Sequence, residues 1–233
     1  MKIFPVIFLS ILFCINAMQK DMFESLRYDM VETQLVSRGI KDAATLEAMR
    51  KVPRHLFVPA ALIDYAYDDG PMQIGYGQTI SQPYIVAYMT EYVVPTKNKK
   101  ALEIGTGSGY QAAVLAETVD SVYTIEIVPQ LAASSAERLK RLGYNNVIVK
   151  EGDGYQGWPE HGPYDIIMVT AAADEIPQPL VDQLAEGGRL IMPLGKPHEV
   201  QKLILLRKKN GEIRRTMLTL VRFVPLTRSK GKR

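Results

Sequence analysis

The chain has 233 residues, 47% hydrophobic and 23% charged, a length and balance suited to a globular fold with a sizeable core and not to disorder or collagen-like repeats. Its single cysteine, Cys14, sits in an apolar N-terminal stretch, which leaves the rest of the chain without a thiol for disulfide, nucleophilic or zinc-thiolate chemistry. The net charge of +3 rests on Arg228, Lys230, Lys232 and Arg233 at the extreme C-terminus, so the body is close to neutral and the net charge is poor evidence for a nucleic-acid partner, which needs clustered charge to neutralise phosphates.

At the N-terminus, Lys2, the apolar run Ile3 to Phe13 and the small residue Ala17 have the form of a secretory signal too short to span a bilayer. Ile15 disfavours cleavage there, and Met18 and Met22 are alternative starts, so a mis-set start is the competing reading. Residues 1–17 are therefore set apart from 18–233, which read as one domain: a helical region with a glycine-rich loop over 18–95, then an α/β core over 96–233. Phe23, Leu26, Met30 and Leu35 recur at helical spacing and predict one amphipathic helix ending at Gly39. Asp42 is placed to cap a second helix carrying Leu46, Met49 and Val52 on one face, and a third short helix follows Pro59. Asp68 to Gln82, with Gly70, Pro71, Gly75 and Gly77, reads as a loop, and Pro83 opens the next helix, through Tyr84 to Val94.

Beyond Pro95, short apolar runs at Ala101–Ile104, Val122–Ile125, Val147–Val149, Ile166–Val169 and Leu190–Met192 have the character of buried parallel strands. Crossover helices are expected over Tyr110–Glu117 and Gln130–Leu142. The alternation predicts a doubly wound, mostly parallel α/β sheet behind the N-terminal helices. Leu203–Arg207 and Met217–Val224 flank Asn210-Gly211, a hairpin dipeptide, so antiparallel strands should finish the sheet at its C-terminal edge.

The segment Leu102-Glu103-Ile104-Gly105-Thr106-Gly107-Ser108-Gly109 places three glycines between a strand and a helix. Such a loop turns sharply and offers unpaired N–H groups to a ligand. Where a dinucleotide fingerprint needs its third glycine, this chain has Tyr110, so a pyrophosphate site is incomplete. Glu103 suits a cationic ligand end such as the amino group or sulfonium of S-adenosylmethionine. Glu126 ends the second strand, 21 residues after Gly105, where a carboxylate receives both ribose hydroxyls. Asp153, in Gly152-Asp153-Gly154 after the third strand, is placed to accept from an adenine amino group. Singly each residue reads equally as a cap, a turn or a solvated charge; jointly they share one sheet edge, where ligands of open α/β sheets bind.

The loop Glu103–Gly109 resembles the glycine motif of class I S-adenosylmethionine-dependent methyltransferases. Further segments are similar to the protein-L-isoaspartate O-methyltransferase family: Val52-Pro53-Arg54 with Phe57-Val58-Pro59, Gly75-Tyr76-Gly77-Gln78-Thr79-Ile80-Ser81-Gln82-Pro83, Gly152-Asp153-Gly154, Val169-Thr170-Ala171-Ala172 and Arg222-Phe223-Val224-Pro225-Leu226. The resemblance spans residues 23–226; the apolar N-terminus and basic tail depart from the family pattern. It implies methyl transfer from S-adenosylmethionine, leaving S-adenosylhomocysteine, to the free α-carboxylate of L-isoaspartyl residues in damaged proteins. The ester then closes to a succinimide, and hydrolysis returns aspartate. It also implies a cofactor site of Glu103, Gly105, Thr106, Gly107, Ser108, Gly109, Glu126, Asp153 and Gly154. The substrate would lie against Thr79, Ile80, Ser81, Gln82 and Val224, with Ser81 as the catalytic residue that orients the carboxylate. On spacing alone Ser81 instead caps the helix beginning near Pro83.

A carboxylate is ionised at neutral pH and needs no general base, so the lack of a catalytic histidine is consistent with this chemistry. Enzymes that methylate amino groups of bases favour Asn or Asp and two prolines after the fourth strand, where this chain has Thr170-Ala171-Ala172-Ala173. His55, His161 and His198 have no ligand spacing, so no metal is expected. Trp158 reads as local packing and the basic tip Arg207-Lys208-Lys209 with Arg214-Arg215 as a solvated edge. A cytoplasmic monomer is expected, with damaged proteins and peptides as partners and without nucleic acid or stable membrane association. The alternative is the periplasm or secretion if residues 1–17 are a working signal.

Overall fold

The computed structural model describes residues 22–196 and 198–228. The apolar stretch 1–17, with Cys14, lies outside the described residues, as do Lys230, Lys232 and Arg233 of the tail. Among the described residues no helix is long and apolar enough to cross a membrane.

Helix α1 covers residues 22–30 and continues as a π-turn, Val31–Leu35, and a 3-10 turn, Val36–Arg38. The single helix expected to Gly39 is therefore continuous in path but not in winding; the wider turn keeps Met30, Val31 and Leu35 fully buried. Gly39 ends it at φ 93°, a left-handed conformation that glycine adopts without strain. Asp42 accepts from the Thr45 N–H at 2.8 Å and so caps α2, Ala43–Lys51, which seats Met49 in the core. Two 3-10 turns follow, Arg54–Phe57 and Ala60–Tyr65.

The stretch expected to be a loop is largely a hairpin. Strand β1, Met72–Gly75, pairs antiparallel with β2, Gln78–Ile80. Tyr76 (φ 53°) and Gly77 (φ 70°) both adopt positive φ, the requirement of the tight turn whose twist matches its strands. Strands this short show no readable alternation in sequence, which is why the glycines dominated the reading. Helix α3, Pro83–Tyr92, begins at the proline as expected and ends slightly earlier than Val94.

The remaining elements build one seven-stranded sheet. In chain order they are β3 (Lys100–Ile104), α4 (Tyr110–Ala116), β4 (Ser121–Glu126), α5 (Pro129–Arg141), β5 (Val147–Glu151), β6 (Tyr164–Val169), α6 (Gln178–Asp182), β7 (Leu184–Leu194), β8 (Gln201–Lys209) and β9 (Glu212–Val221). The spatial order is β5-β4-β3-β6-β7-β8-β9. The neighbours from β5 to β7 pair parallel, whereas β8 and β9 pair antiparallel. Asn210 (φ 54°) and Gly211 (φ 75°) form the expected turn between the last two.

Alternation along the central strands feeds two cores. Ala101, Val122, Ile166 and Met168 face the N-terminal helices and α4, while Leu102, Ile104, Ile167 and Val169 face the α6 side. Strands buried on both faces read as continuous apolar runs, and each fully buried Leu or Ile contributes about 1.5–3 kcal/mol. From β3 the chain steps outward to β5, then returns to β6 on the other side of β3. That reversal opens a crevice at the C-terminal ends of β3 and β6.

Candidate active site

The glycine loop leaves β3 at this crevice. Gly105 stands at φ 95°, and its N–H donates to the Ile125 carbonyl at 2.8 Å. A Cβ added there would come 2.5 Å from Thr170 Oγ1, so glycine is required by both conformation and space. Thr170 directly follows β6, and its hydroxyl donates to the carbonyls of Ile104 and Gly105 at 3.0 and 2.7 Å, tying the loop to the neighbouring strand. The Gly107 N–H donates to Glu126 Oε2 at 2.7 Å, and the Val128 N–H to Glu126 Oε1 at 2.9 Å. Glu126, only 5% exposed, thus sits at the end of β4 with its carboxylate held against the loop.

A cavity of about 50 Å³ opens here, lined by Gly105, Gly107, Glu126, Gly154 and Thr170 with apolar walls from Ile104 and Ile125. Its roof is the chain after β9, Val224–Thr227. This segment is held by the Ala172 N–H donating to the Val224 carbonyl at 2.8 Å and the Leu226 N–H donating to the Ala172 carbonyl at 2.7 Å. Arg228 closes the end: its Nε donates to Asp153 Oδ2 at 3.0 Å, and its guanidinium lies 3.8 Å from the centre of the Tyr155 ring. Asp153 Oδ1 accepts from the Tyr155 N–H at 3.0 Å. The residue expected to meet adenine is therefore engaged by the basic tail, and Gly154 beside it is the one that lines the cavity.

Glu103 is fully buried beneath the loop and does not line the cavity. It accepts from the Thr124 hydroxyl, which in turn lies 2.7 Å from the Thr106 hydroxyl. Its other carboxylate oxygen has no partner among the described residues, and burial raises its pKa to about 8. Gly109, at φ 88°, caps α4 and packs close to Leu139, while Ser108 offers its carbonyl to Arg138 Nη1 at 2.8 Å. The expected cofactor residues thus divide: Gly105, Gly107, Glu126 and Gly154 face the cavity, and Glu103, Gly109 and Asp153 support it.

Two further spaces adjoin the first. A cavity of about 30 Å³ is lined by Thr79, Ile80, Ser81, Thr106, Ser108 and Tyr110. An open groove of about 400 Å³ is lined by Thr79, Ser81, Gln82, Leu220, Arg222 and Phe223. Thr79 borders all three spaces and Ser81 the last two. Ser81 is not the cap of α3; that position is Gln82, whose side chain makes no capping bond and instead donates to Asp69 Oδ1 at 2.7 Å. Among the described residues the Ser81 hydroxyl has no hydrogen-bond partner. Val224, expected on the substrate side, lines the cofactor cavity as part of its roof.

Three features escaped the sequence reading: Thr170 as the tie between loop and strand, the roof Val224–Thr227, and the anchoring of the Ser81 loop by Arg54, which donates from Nη2 to the Ser81 carbonyl at 2.7 Å. Thr170 was visible as a polar residue ending an apolar run; the other two have no local signal. Trp158 packs edge-on against Tyr123 with His161 and does not line the cavity, as the packing reading expected. Among the described residues no group of three metal-ligating side chains converges.

The lining suits an adenosyl group: the buried carboxylate of Glu126 stands at a strand end with the Gly107 N–H donating to it, and Ile104 and Ile125 give apolar walls. Glu103, expected to meet a cationic ligand end, instead lies beneath the loop off the cavity, and its raised pKa leaves it largely protonated at neutral pH. The space is open on one side and continues past Thr79 toward the two further spaces, with Val224–Thr227 along its edge.

Comparison with known proteins agrees with this geometry. A sequence profile of the family described as protein-L-isoaspartate(D-aspartate) O-methyltransferase matches residues 26–231. A protein-L-isoaspartate O-methyltransferase of Opitutus terrae is 57% identical over 204 residues, covering 88% of each chain. A Plasmodium falciparum structure described as a protein-L-isoaspartate O-methyltransferase, solved with S-adenosyl-L-homocysteine, is 31% identical with a TM-score of 0.75 over 87% of this chain and 99% of the other. A second solved protein-L-isoaspartate O-methyltransferase is 32% identical with a TM-score of 0.77, covering 87% of this chain, which spans 65% of that longer one. With a sheet ordered around a glycine loop, a carboxylate at the second parallel strand and a profile match across nearly all described residues, the chain belongs to the protein-L-isoaspartate O-methyltransferase family.

Proposed function

We propose that the protein methylates the free α-carboxylate of L-isoaspartyl residues in damaged proteins and peptides, starting the route through methyl ester and succinimide back to aspartate. The observation that carries this reading is the meeting of the cofactor cavity and the open groove at Thr79–Ser81, where a serine hydroxyl has no structural duty.

S-adenosylmethionine, when bound, supplies a methyl group on a positively charged sulfur. Gly105, Gly107, Glu126 and Gly154 would hold its adenosyl part. The Ser81 hydroxyl would donate a hydrogen bond to one oxygen of the isoaspartyl carboxylate and leave the other oxygen to bond the methyl carbon as its bond to sulfur breaks, the electron pair staying on sulfur. Among the described residues no histidine borders the groove or either cavity, and none is needed, because the nucleophile is already an anion. Attack joins an anion to a cation, so charge disappears in the transition state and the buried, water-poor floor favours the step. Orientation supplies the rest. The groove wall Leu220–Phe223 continues strand β9 and offers backbone to a substrate of arbitrary sequence. The need for S-adenosylmethionine supports a cytoplasmic place of action.

The test is methyl transfer from labelled S-adenosylmethionine to paired peptides that differ only in isoaspartyl or aspartyl linkage. Transfer to the isoaspartyl peptide alone is expected. In Ser81→Ala, kcat/KM should fall about 10–100-fold while S-adenosylhomocysteine binds within about twofold of wild type. Equal transfer to both peptides, or none to either with cofactor still bound, sinks the substrate assignment.

A further inference from the structure

Among the described residues Arg54 is the largest fully buried side chain, and it belongs to none of their four ion pairs. It lies in the turn after α2, directly behind the Ser81 loop. Its Nε donates to the Ala66 carbonyl at 2.8 Å and its Nη2 to the Ser81 carbonyl at 2.7 Å. The guanidinium stands 4.7 Å from the centre of the Tyr110 ring, and Nη1 has no partner. Tyr110 and Ser81 both line the small cavity between the glycine loop and the groove, so the buried charge sits one layer behind the place where methyl transfer is proposed.

Burying a cation without a counter-ion is among the least favourable arrangements a core can hold. Burial lowers the pKa of Arg54 from its ordinary value, yet a guanidinium keeps its proton in proteins, so the positive charge persists. Two carbonyls and a ring face satisfy hydrogen bonds that a neutral donor would also satisfy. What they leave unanswered is the charge. The proposed reaction brings two anions near this spot, the cofactor's own α-carboxylate and the substrate's; the second is the one that meets the Ser81 loop braced by Arg54, and a fixed charge is screened less across the buried layer between them than in water.

We propose that Arg54 is a positioning residue of the transfer site: its uncompensated charge is balanced by the isoaspartyl carboxylate when substrate binds, and its bond to the Ser81 carbonyl holds the loop that receives that carboxylate. This rests on the function proposed above. Arg54 does not touch the substrate; it favours an anion over a neutral group at the Ser81 loop and so sharpens selection of a free carboxylate.

The experiment compares two peptides on the full chain saturated with S-adenosylhomocysteine, one carrying the isoaspartyl α-carboxylate and the other its uncharged α-carboxamide. Wild type should bind the carboxylate at least about tenfold more tightly. In Arg54→Gln and Arg54→Met this preference should fall to within about threefold. KM for the isoaspartyl peptide should rise about 10–100-fold, kcat should change less, and S-adenosylhomocysteine affinity should stay within about twofold. Arg54→Lys, which keeps the charge but not the forked hydrogen bonds, should recover part of the preference. A neutral variant that folds and still prefers the carboxylate as wild type does overturns the proposal. So does failure of both neutral variants to fold, or a loss of cofactor affinity as large as the loss of peptide affinity, since either assigns Arg54 to the fold. If wild type itself does not methylate the isoaspartyl peptide, the functional reading falls first; if it does and only the charge preference survives substitution, the role of Arg54 alone falls.

Discussion

The floor of the cofactor cavity and its roof are held in opposite ways. The glycine loop is tied to β4 through Ile125 and Glu126, to β6 through Thr170 and to α5 through Arg138, all bonds between neighbouring buried elements. The roof Val224–Arg228 rests on two backbone bonds to Ala172 and one ion pair to Asp153. A floor held at every side presents fixed donors, and a roof held at two points can lift.

The strongest challenge to the rigid floor is Gly105→Ala. The new methyl would meet Thr170 Oγ1 at 2.5 Å on a backbone at φ 95°, so a stability loss of about 2–4 kcal/mol is expected together with at least about a 100-fold loss of cofactor affinity. Denaturant titration and calorimetry with S-adenosylhomocysteine check both. A variant with near-normal affinity would mean that the loop is softer than its bonds imply.

Beneath the same floor, Glu103 gives a pH-dependent test. Its folded pKa of about 8 lies above its ordinary 4.5, so the folded protein retains a proton that the unfolded chain releases. Below the ordinary value both states are protonated and nothing is lost. As pH rises from about 4.5 to 8 the folded state is progressively penalised, and above that the penalty levels off. Glu103→Gln removes the titration and should gain stability over wild type across this window, by up to roughly 3 kcal/mol. Unfolding curves at about pH 5, 6.5 and 8 read the trend, and a difference that does not change with pH contradicts it.

For the roof, the smallest effect on stability is expected from Arg228→Ala. The Arg228 side chain is one-third exposed, so removing the ion pair should cost less than about 1 kcal/mol. Release of S-adenosylhomocysteine should nonetheless quicken about 3–10-fold, measured by stopped-flow displacement. An unchanged release rate would place the gate elsewhere than the Arg228–Asp153 contact.

The same contrast separates what could be read along the chain from what could not. The parallel strands and the glycine loop were legible because both faces of β3, β4 and β6 are buried, leaving continuous apolar runs, and because Gly105, Gly107 and Glu126 sit at strand ends. The hairpin β1–β2 was not, since strands of four and three residues carry too little alternation and its turn is Tyr-Gly. Ser81 reads as a cap on spacing alone, and that reading fails because the helix begins one residue too late for it to cap.

Local sequence determined the α/β alternation, the strand-end positions of the glycines and of Glu126, the Asn210-Gly211 turn and the family resemblance, because periodicity, turn residues and strand-end motifs act over a few neighbours. Only the tertiary structure decided that Arg228 meets Asp153 across 75 residues and that Arg54 braces Ser81 across 27. It also decided that Glu103 is buried without a counter-charge and that the last segment roofs the cavity. Those relations depend on which strands become neighbours in the sheet, and a charge has no sequence signature for whether folding leaves it paired, solvated or alone.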